Sequence, residues 1–195
     1  MSTAGIVLAG GFGTRFVDGE KTLAELDGRP LISHAVDALR PIVDTIVVSC
    51  REEQIEAFQR VLEGVTYRPD PTPDEGPLAG LAAALGGLDA EQVAVTTADR
   101  PCVPPGLYRD FFERLQRDGV VIQSAGIKQP SPAVFDTAAL RKSVQRRRAS
   151  GEKRLRSALM ELDLDTVRAD RVRERWGEQV LADVNTRDDL AALDE

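Results

Sequence analysis

Cysteine and histidine are nearly absent from this chain of 195 residues, which has only Cys50, Cys102 and His34. The two cysteines lack CxxC spacing and have too few companions, which excludes a zinc site and a disulfide framework. We expect both to be small buried or half-buried residues near strand ends. His34 falls on a predicted helix, where a surface or hydrogen-bonded histidine is a better expectation than a catalytic one.

Long apolar runs and excess positive charge are also missing. No run of eighteen apolar residues occurs, so we expect no membrane span. The N-terminus has no basic region and enters a strand at once, so we expect no signal peptide and a cytoplasmic protein. The net charge of −7 argues against nucleic-acid binding. A length of 195 residues with 42% hydrophobic content fits one domain with a proper core.

Strand and helix patterns alternate along the chain, which predicts an α/β domain with a mainly parallel sheet. Short β-branched or apolar runs predict strands at 5–9, 45–50, 65–67, 92–97, 119–123 and 131–135. Helical spacing predicts helices at 31–39, 52–62, 78–88, 106–117, 137–145, 155–162 and 187–193. The proline-rich stretch 68–76 and the charged stretch 146–154 are predicted loops, and the pattern over 165–180 favours no single element.

A glycine-rich loop follows the first predicted strand, in the stretch IVLAGGFGTRFVDGEKTL at 6–23. The strand runs into Gly10, Gly11 and Gly13, which are followed by the two cations Arg15 and Lys21. Glycines let backbone N–H groups close on a phosphate chain, and the cations supply the charge that a triphosphate needs. The loop is not a P-loop, because Glu20 precedes Lys21-Thr22, and it lacks the third glycine of a dinucleotide motif.

Asp99 closes another predicted strand, within the motif Thr97-Ala98-Asp99-Arg100-Pro101. A carboxylate at a strand end points into the crevice where open α/β sheets bind ligands. Mg²⁺ prefers one or two carboxylates together with phosphate oxygens. Asp99 is therefore our first candidate for a metal ligand that bridges to a triphosphate.

The motif GPLAG begins at Gly76 and opens a predicted helix, and Asp70 stands six residues earlier. Free backbone groups at such a helix start can read a purine edge. The alternative is a helix start with proline in its first turn and small packing residues. The Asp70 carboxylate can accept hydrogen bonds from guanine N1–H and N2–H₂, or bind a ribose hydroxyl, or simply form an Asp-Pro turn.

The order and spacing of these motifs, with a closing VNTRDDL, resemble the molybdenum cofactor guanylyltransferase family, whose members attach GMP to molybdopterin. The resemblance covers the chain from Ile6 to the final helix. It implies one Rossmann-like nucleotidyltransferase domain, a three-layer α/β/α structure with a mixed, mainly parallel sheet. The nucleotide-binding half would be about 1–105 and the acceptor half about 106–195.

The resemblance also implies a Mg²⁺-dependent reaction. GTP would be the substrate, and the terminal phosphate of Mo-molybdopterin, or of molybdopterin, would attack the α-phosphorus and release pyrophosphate. Transient contacts with proteins that deliver molybdopterin and with molybdoenzymes would follow.

The resemblance assigns site residues by motif position. The nucleotide and its phosphates would meet Leu8, Ala9, Gly10, Gly11, Gly13 and Lys21. Guanosine would be read by Asp70, Gly76, Pro77, Leu78 and Gly80. The catalytic residues would be Lys21, Arg15 and Asp99, with Asp99 holding Mg²⁺. The segment Lys128–Val134 would lie on the pterin side, and Arg154, Arg156 and Ser157 would meet the second substrate.

Departures from the family pattern leave other hypotheses open. Phe16-Val17 and Glu20 alter the loop tip, and Arg51 stands where the family tends to have Asn, which puts one nucleotide contact in doubt. Asp183, in place of the first Asn of N-x-N-T, is either a second metal ligand or a sign of a changed site. A non-catalytic nucleotide-binding relative is therefore one alternative.

Another alternative is a GTP:adenosylcobinamide-phosphate guanylyltransferase. That family shares the pattern GG-x-GTR followed by Glu-Lys, and this chain has both. A cytidylyltransferase is disfavoured, because the usual two-alanine LAAG loop is absent.

Overall fold

The computed structural model describes residues 1–11, 16, 20–70 and 75–193. Its strands are β1 (Thr3–Leu8), β2 (Glu25–Leu26), β3 (Arg29–Pro30), β4 (Thr45–Cys50), β5 (Thr66–Pro69), β6 (Gln92–Thr97), β7 (Gly119–Ser124), β8 (Ile127–Asp136) and β9 (Leu164–Arg168). Its α-helices are α1 (Leu31–Leu39), α2 (Ile55–Gln59), α3 (Pro77–Leu85), α4 (Pro105–Arg114), α5 (Thr137–Ala149), α6 (Ala169–Trp176) and α7 (Arg187–Ala191). Short 3₁₀ turns occupy Lys21–Leu23, Glu52–Gln54, Leu155–Leu159 and Glu178–Leu181.

The seven longer strands form one mixed sheet in the order β5-β4-β1-β6-β8-β7-β9, and β2 and β3 form a separate small hairpin. Neighbouring strands run parallel except at β8, which is antiparallel to both β6 and β7. The mainly parallel mixed sheet predicted from the sequence is thus confirmed. The four neighbouring strands β5, β4, β1 and β6 are all parallel, so the carboxyl ends of β1, β4 and β6 lie at one edge of the sheet.

Helices cover both faces of the sheet, because strand residues alternate between two apolar clusters. Val7 packs into the cluster beneath α1, α2, α4 and α6, whereas its neighbour Ile6 packs into the cluster beneath α3 and α5. Buried β-branched runs of this kind are typical of parallel strands that are covered on both sides. The result is the expected three-layer α/β/α arrangement.

Most predicted elements are present, and several segments differ. The helix predicted over 52–62 is a 3₁₀ turn followed by the short α2, and β5 continues into the first two residues of the predicted loop 68–76. Helix α5 continues to Ala149, so the prediction that a loop begins at residue 146 was wrong. Glu161 forms ion pairs with Arg146 and Arg147, which stabilise the arginine-rich last turn of the helix. The helix predicted over 155–162 is a 3₁₀ turn. The unassigned stretch 165–180 contains most of β9 and all of α6. The division into halves near residue 105 stays a prediction.

The scarce residues lie as expected. Cys50 is buried and Cys102 is half-buried. The Nε2 atom of His34 lies 2.9 Å from the carbonyl oxygen of Leu26, to which it donates a hydrogen bond. Among the described helices, none combines the length and the apolar character that crossing a bilayer requires.

Candidate active site

Three loops meet at the edge where β1, β4 and β6 end. Strand β1 pairs in parallel with both neighbours, and two backbone hydrogen bonds extend the pairing past its end. Ala9 N donates to Ser49 O at 2.8 Å, and Ala98 N donates to Leu8 O at 3.1 Å. The topology therefore places the start of the glycine-rich loop beside Asp99, as the strand-end argument predicted.

Lys21 and Asp99 form an ion pair in this crevice. The Nζ atom of Lys21 lies 3.1 Å from Oδ2 of Asp99, and the lysine side chain is only 11% exposed. The same ammonium donates to Oδ1 of Asn185 at 3.1 Å. Val184 N donates to Asp99 O at 2.8 Å, so the C-terminal segment is attached to the same point. Two predicted catalytic residues are thus in direct contact.

Asn185 contacts the candidate site, and the sequence argument did not predict this contact. The pair Asn185-Thr186 before the helix at 187–193 is typical of a helix cap. The Thr186 hydroxyl does accept from Asp189 N at 3.1 Å, but the Asn185 side chain turns to Lys21 instead. The position of Asn185 in the closing VNT motif was the available signal, and only the tertiary contact shows its use.

Asp99 fits a magnesium site that is completed by the ligand. The described residues contain no group of three or more His, Cys, Asp or Glu side chains that could hold a metal by themselves. The Asp99 carboxylate is 31% exposed, and Lys21 contacts one of its two oxygens. Mg²⁺ commonly takes one or two carboxylates and fills its remaining positions with phosphate and water. The donor set present here is of that type.

Asp183 makes an ion pair with Arg100. The guanidinium Nε contacts one carboxylate oxygen of Asp183, and Nη2 contacts the other at 3.1 Å. Arg100 also donates through Nη1 to the carbonyl oxygen of Ser131 in β8. A metal at Asp183 would therefore have to displace a two-point guanidinium contact. The role of Asp183 as a second metal ligand stays a prediction.

Asp70 occupies a narrow slot between two predicted site glycines. Its Oδ1 accepts a hydrogen bond from the Ser49 hydroxyl at 2.8 Å. A β-carbon on Gly10 would lie 2.3 Å from Oδ2, and one on Gly80 would lie 2.8 Å from Oδ1. Burial raises the pKa of the Asp70 carboxyl, while the Ser49 hydrogen bond lowers it. The fold therefore brings Gly10, Asp70 and Gly80 together.

The GPLAG turn opens α3 as predicted, but part of its backbone is already engaged. Gly76 has a φ of +81°, and Pro77 occupies the first turn of the helix. Leu78 N donates to the carbonyl oxygen of Lys153 at 3.2 Å. The Leu78 side chain is buried under the sheet. Purine reading by this turn stays a prediction, and it depends on backbone groups other than the Leu78 N–H.

Gly11 differs from the other glycines of the site. Gly11 is exposed, and a β-carbon added there would meet no atom of the described residues within 4 Å. Leu8 and Gly10 are half-buried beneath it, and Ala9 is buried. Gly13 and Arg15 lie outside the described residues, so their predicted contacts stay predictions.

The predicted acceptor-side residues are distributed over two places. The segment Lys128–Val134 forms most of β8. Arg154, which precedes the 3₁₀ turn, and Arg156, which lies in it, are exposed. Ser157 is buried, and its hydroxyl donates to Arg154 O at 2.7 Å. The role of each in binding a second substrate stays a prediction.

Residues 5–167 match the model of the MobA-like NTP transferase domain. The chain belongs to this family. A probable molybdenum cofactor guanylyltransferase of Haloferax mediterranei is 34% identical over 193 residues, which cover 97% of this chain and 92% of the relative. A probable molybdenum cofactor guanylyltransferase of Natronomonas pharaonis is 31% identical, with 95% of this chain and 94% of the relative covered. The resemblance inferred from the motifs is confirmed.

Solved structures of similar fold agree with the architecture. The molybdopterin-guanine dinucleotide biosynthesis protein A of Archaeoglobus fulgidus superposes with a TM-score of 0.79 at 24% identity, covering 98% of this chain and 96% of that one. A nucleotidyl transferase of Methanothermobacter thermautotroptrophicus superposes with a TM-score of 0.81 at 18% identity, covering 98% and 95%. These likenesses show that the MobA-like chain has a nucleotidyltransferase fold.

Proposed function

We propose that this chain transfers GMP from GTP to the terminal phosphate of Mo-molybdopterin or molybdopterin, and releases pyrophosphate. The relatives named above are molybdenum cofactor guanylyltransferases, which supports guanylyl transfer in the synthesis of that cofactor. The observation that carries the proposal is the position of Lys21. Its ammonium is fixed by Asp99 and Asn185 where the glycine-rich loop and the end of β6 meet.

Lys21 can act on the charge that develops during the transfer. An ammonium held in a crevice stabilises negative charge on the α-phosphate and on departing pyrophosphate without reorganising during the reaction. The two oxygen partners keep Nζ in place before substrate binds. Positioning and charge neutralisation supply most of the acceleration in phosphoryl-type transfer, and the acceptor phosphate is already ionised at neutral pH. The reaction therefore needs no histidine base.

Asp99 is the residue that would hold Mg²⁺. The ion, when bound, neutralises charge on the phosphate oxygens that it contacts. The protein contributes one carboxylate, that of Asp99. Its orientation is set by the ion pair with Lys21 and by the backbone hydrogen bond from Val184 N to Asp99 O. This assignment rests on the donor chemistry of Asp99 and on its position at the strand end.

Asp70 would supply the preference for guanine. A carboxylate can accept two parallel hydrogen bonds from guanine N1–H and N2–H₂, which adenine, cytosine and uracil do not present in that arrangement. Ser49 holds the carboxylate at the end of β4 in a fixed orientation. A site built to pair with a ligand N–H discriminates strongly against analogues that lack it.

The direct test is an acceptor assay with purified protein, GTP and Mg²⁺. Molybdopterin and adenosylcobinamide phosphate are supplied in parallel, and pyrophosphate and the dinucleotide product are measured. Pyrophosphate release with molybdopterin supports the proposal. Release with adenosylcobinamide phosphate alone favours the second candidate, whose GG-x-GTR and Glu-Lys pattern this chain carries at 10–15 and 20–21. Absence of release with either acceptor favours a non-catalytic relative.

The proposal has consequences for partners. We expect transient contact with the proteins that deliver molybdopterin and with the molybdoenzymes that receive the product. Pull-down of purified molybdoenzyme apoproteins by this chain, with and without GTP and molybdopterin, measures that contact.

A further inference from the structure

Arg51 links the two ends of the glycine-rich loop. Its side chain leaves the end of β4 and is only 14% exposed. The guanidinium Nη1 donates to the carbonyl oxygens of Gly10 and Gly11 at 3.1 and 2.9 Å. Nη2 donates to Oε2 of Glu20 at 2.7 Å. One side chain therefore contacts residues that stand immediately before and after the segment 12–19.

Glu20 is itself fixed to the turn that carries Lys21. Its Oε1 accepts a hydrogen bond from the Thr22 hydroxyl at 3.0 Å, and its carbonyl oxygen accepts from Leu23 N at 2.9 Å. The Arg51–Glu20 pair thus joins the first glycines of the loop to the 3₁₀ turn that begins at Lys21. The position of the catalytic ammonium and the position of the glycines depend on the same contact.

The three consecutive carbonyl groups at the start of the glycine-rich loop, those of Ala9, Gly10 and Gly11, all accept hydrogen bonds from side chains that follow β4. Gln54 Nε2 donates to Ala9 O at 3.3 Å, beside the two carbonyls that Arg51 contacts. In a trans peptide unit the C=O and the N–H point in opposite directions. The Gly11 N–H, which shares a peptide unit with the Gly10 carbonyl, therefore faces away from Arg51. The Gly10 N–H, which shares a unit with the Ala9 carbonyl, faces away from Gln54, and neither N–H donates to a described residue. An anion that binds these N–H groups would displace no hydrogen bond to a described residue.

The charge of Arg51 is satisfied within the protein. Besides Glu20, its Nε donates to Oε1 of Glu53 at 2.7 Å. The guanidinium donates to two carboxylates and two carbonyl oxygens at once. Its planar group of N–H donors permits this, whereas the single ammonium of lysine does not offer the same geometry. Arg51 therefore serves the loop and not the triphosphate directly.

From these contacts, and resting on the proposed nucleotide binding, we propose that Arg51 and Glu20 are positioning residues. Together they close the neck of the glycine-rich loop and direct the Gly10 and Gly11 N–H groups toward the triphosphate. The two positions are departures from the family pattern, and the structure shows that the two departures contact each other. The loop is thus preorganised by an ion pair of this chain's own.

The first experiment measures the loop without nucleotide, so it does not depend on the proposed activity. Amide hydrogen exchange over residues 8–23 is compared in the wild type, Arg51→Ala, Arg51→Lys and Arg60→Ala. Arg60 is an exposed arginine on the same connection, paired only with Glu56 among the described residues, and is the matched control. We expect exchange to accelerate by about tenfold or more in Arg51→Ala, less in Arg51→Lys, and not in Arg60→Ala. Wild-type protection in Arg51→Ala overturns the proposal.

The second experiment separates positioning from general destabilisation. We expect Arg51→Ala to lower kcat/KM for GTP by about ten- to a hundredfold, because small misplacements of binding groups have effects of that size. Arg51→Lys restores part of the loss, since lysine can replace only some of the fork. Glu20→Ala acts in the same direction, and the double variant is no worse than Arg51→Ala alone. Additive losses, or an unchanged kcat/KM, contradict the pairing. If the wild type itself binds no GTP, the proposed function fails, and the exchange data still decide the role of Arg51.

Discussion

Asp70 and Gly80 share a space with no room for another atom: a β-carbon added to Gly80 would lie 2.8 Å from Oδ1 of Asp70. The same β-carbon would lie 2.7 Å from the Ser49 hydroxyl oxygen. Gly80 is therefore needed for the packing of α3 against the end of β4, whatever its role toward a ligand. Tight packing distinguishes Gly80 from Gly11, although both glycines were predicted to bind nucleotide.

Gly80→Ala should lower stability, and Gly11→Ala should not. Overpacking of a tight site typically costs about 1–3 kcal/mol, or about 2–4 °C in Tm per kcal/mol for a chain of this size. A methyl group on Gly11 meets no described atom within 4 Å, so its effect should appear in the GTP Kd, as a rise of about tenfold. Thermal unfolding and calorimetric titration with GTP measure both. A Gly11→Ala protein with unchanged GTP affinity would show that the loop start does not approach the phosphates.

Asp70→Asn should stabilise the protein, and more so as the pH rises. Burial raises the pKa of this carboxyl in the folded state. Its contribution to stability is therefore fully present below the unfolded pKa and is lost as the pH rises through the folded pKa. Asn carries no such loss and can still accept from Ser49. The Tm difference between variant and wild type should grow from pH 3 to pH 7, while the preference for GTP over ATP disappears. A Tm difference independent of pH contradicts the raised pKa.

Lys21→Ala should reduce turnover more than GTP binding. The ammonium acts mainly on charge that develops as pyrophosphate leaves, so we expect kcat to fall by about a hundredfold or more and the GTP Kd to change by less than about tenfold. Lys142→Ala, which alters an exposed lysine on α5, is the control. Steady-state kinetics and calorimetry give the two quantities. Equal losses in both would assign Lys21 to ground-state binding.

Asp99→Asn should abolish Mg²⁺-dependent turnover. The substitution removes the carboxylate charge that the metal needs and weakens the partner of Lys21, while the side-chain shape is kept. Activity titrated against Mg²⁺ at saturating GTP, together with Tm to verify folding, measures the effect. Turnover near the wild-type level would exclude Asp99 as the essential ligand.

Asp183→Asn should behave differently from Asp99→Asn. Because Arg100 contacts both oxygens of Asp183, we expect a Tm lowered by a few degrees, in line with about 1 kcal/mol for a partly exposed pair, and little change in the Mg²⁺ concentration for half-maximal activity. A strongly raised Mg²⁺ requirement would instead support Asp183 as a second metal ligand. The two aspartates are thus compared in one assay.

The sequence predicted the architecture and the local motifs well, because both depend on short-range patterns. Runs such as Thr45–Cys50 and Gln92–Thr97 are buried, β-branched and correctly bounded as strands. The motif order also placed the glycine-rich loop and Asp99 directly after the ends of two strands, and parallel pairing of β1 with β6 brings those two ends together. Where a residue follows a strand end directly, its position in the site could be inferred.

The contacts that could not be predicted join residues far apart in sequence. Nothing in the pattern pairs Arg51 with Glu20, or Arg100 with Asp183, because each ion pair depends on the side-by-side arrangement of separate loops. The end of α5 was misplaced for another reason. Its arginine-rich last turn has no apolar periodicity, and its support comes from Glu161, which lies outside the helix.

The contacts of Asn185 with Lys21 and of Val184 with Asp99 have a consequence for the timing of synthesis. A ribosome makes the glycine-rich loop, Lys21 and Asp99 long before residues 184 and 185 emerge, and the match to the family model ends at residue 167. Until that late segment docks, Lys21 lacks one of its two oxygen partners. The nascent chain can therefore fold its sheet early and still complete the surroundings of Lys21 only after residue 185 has emerged.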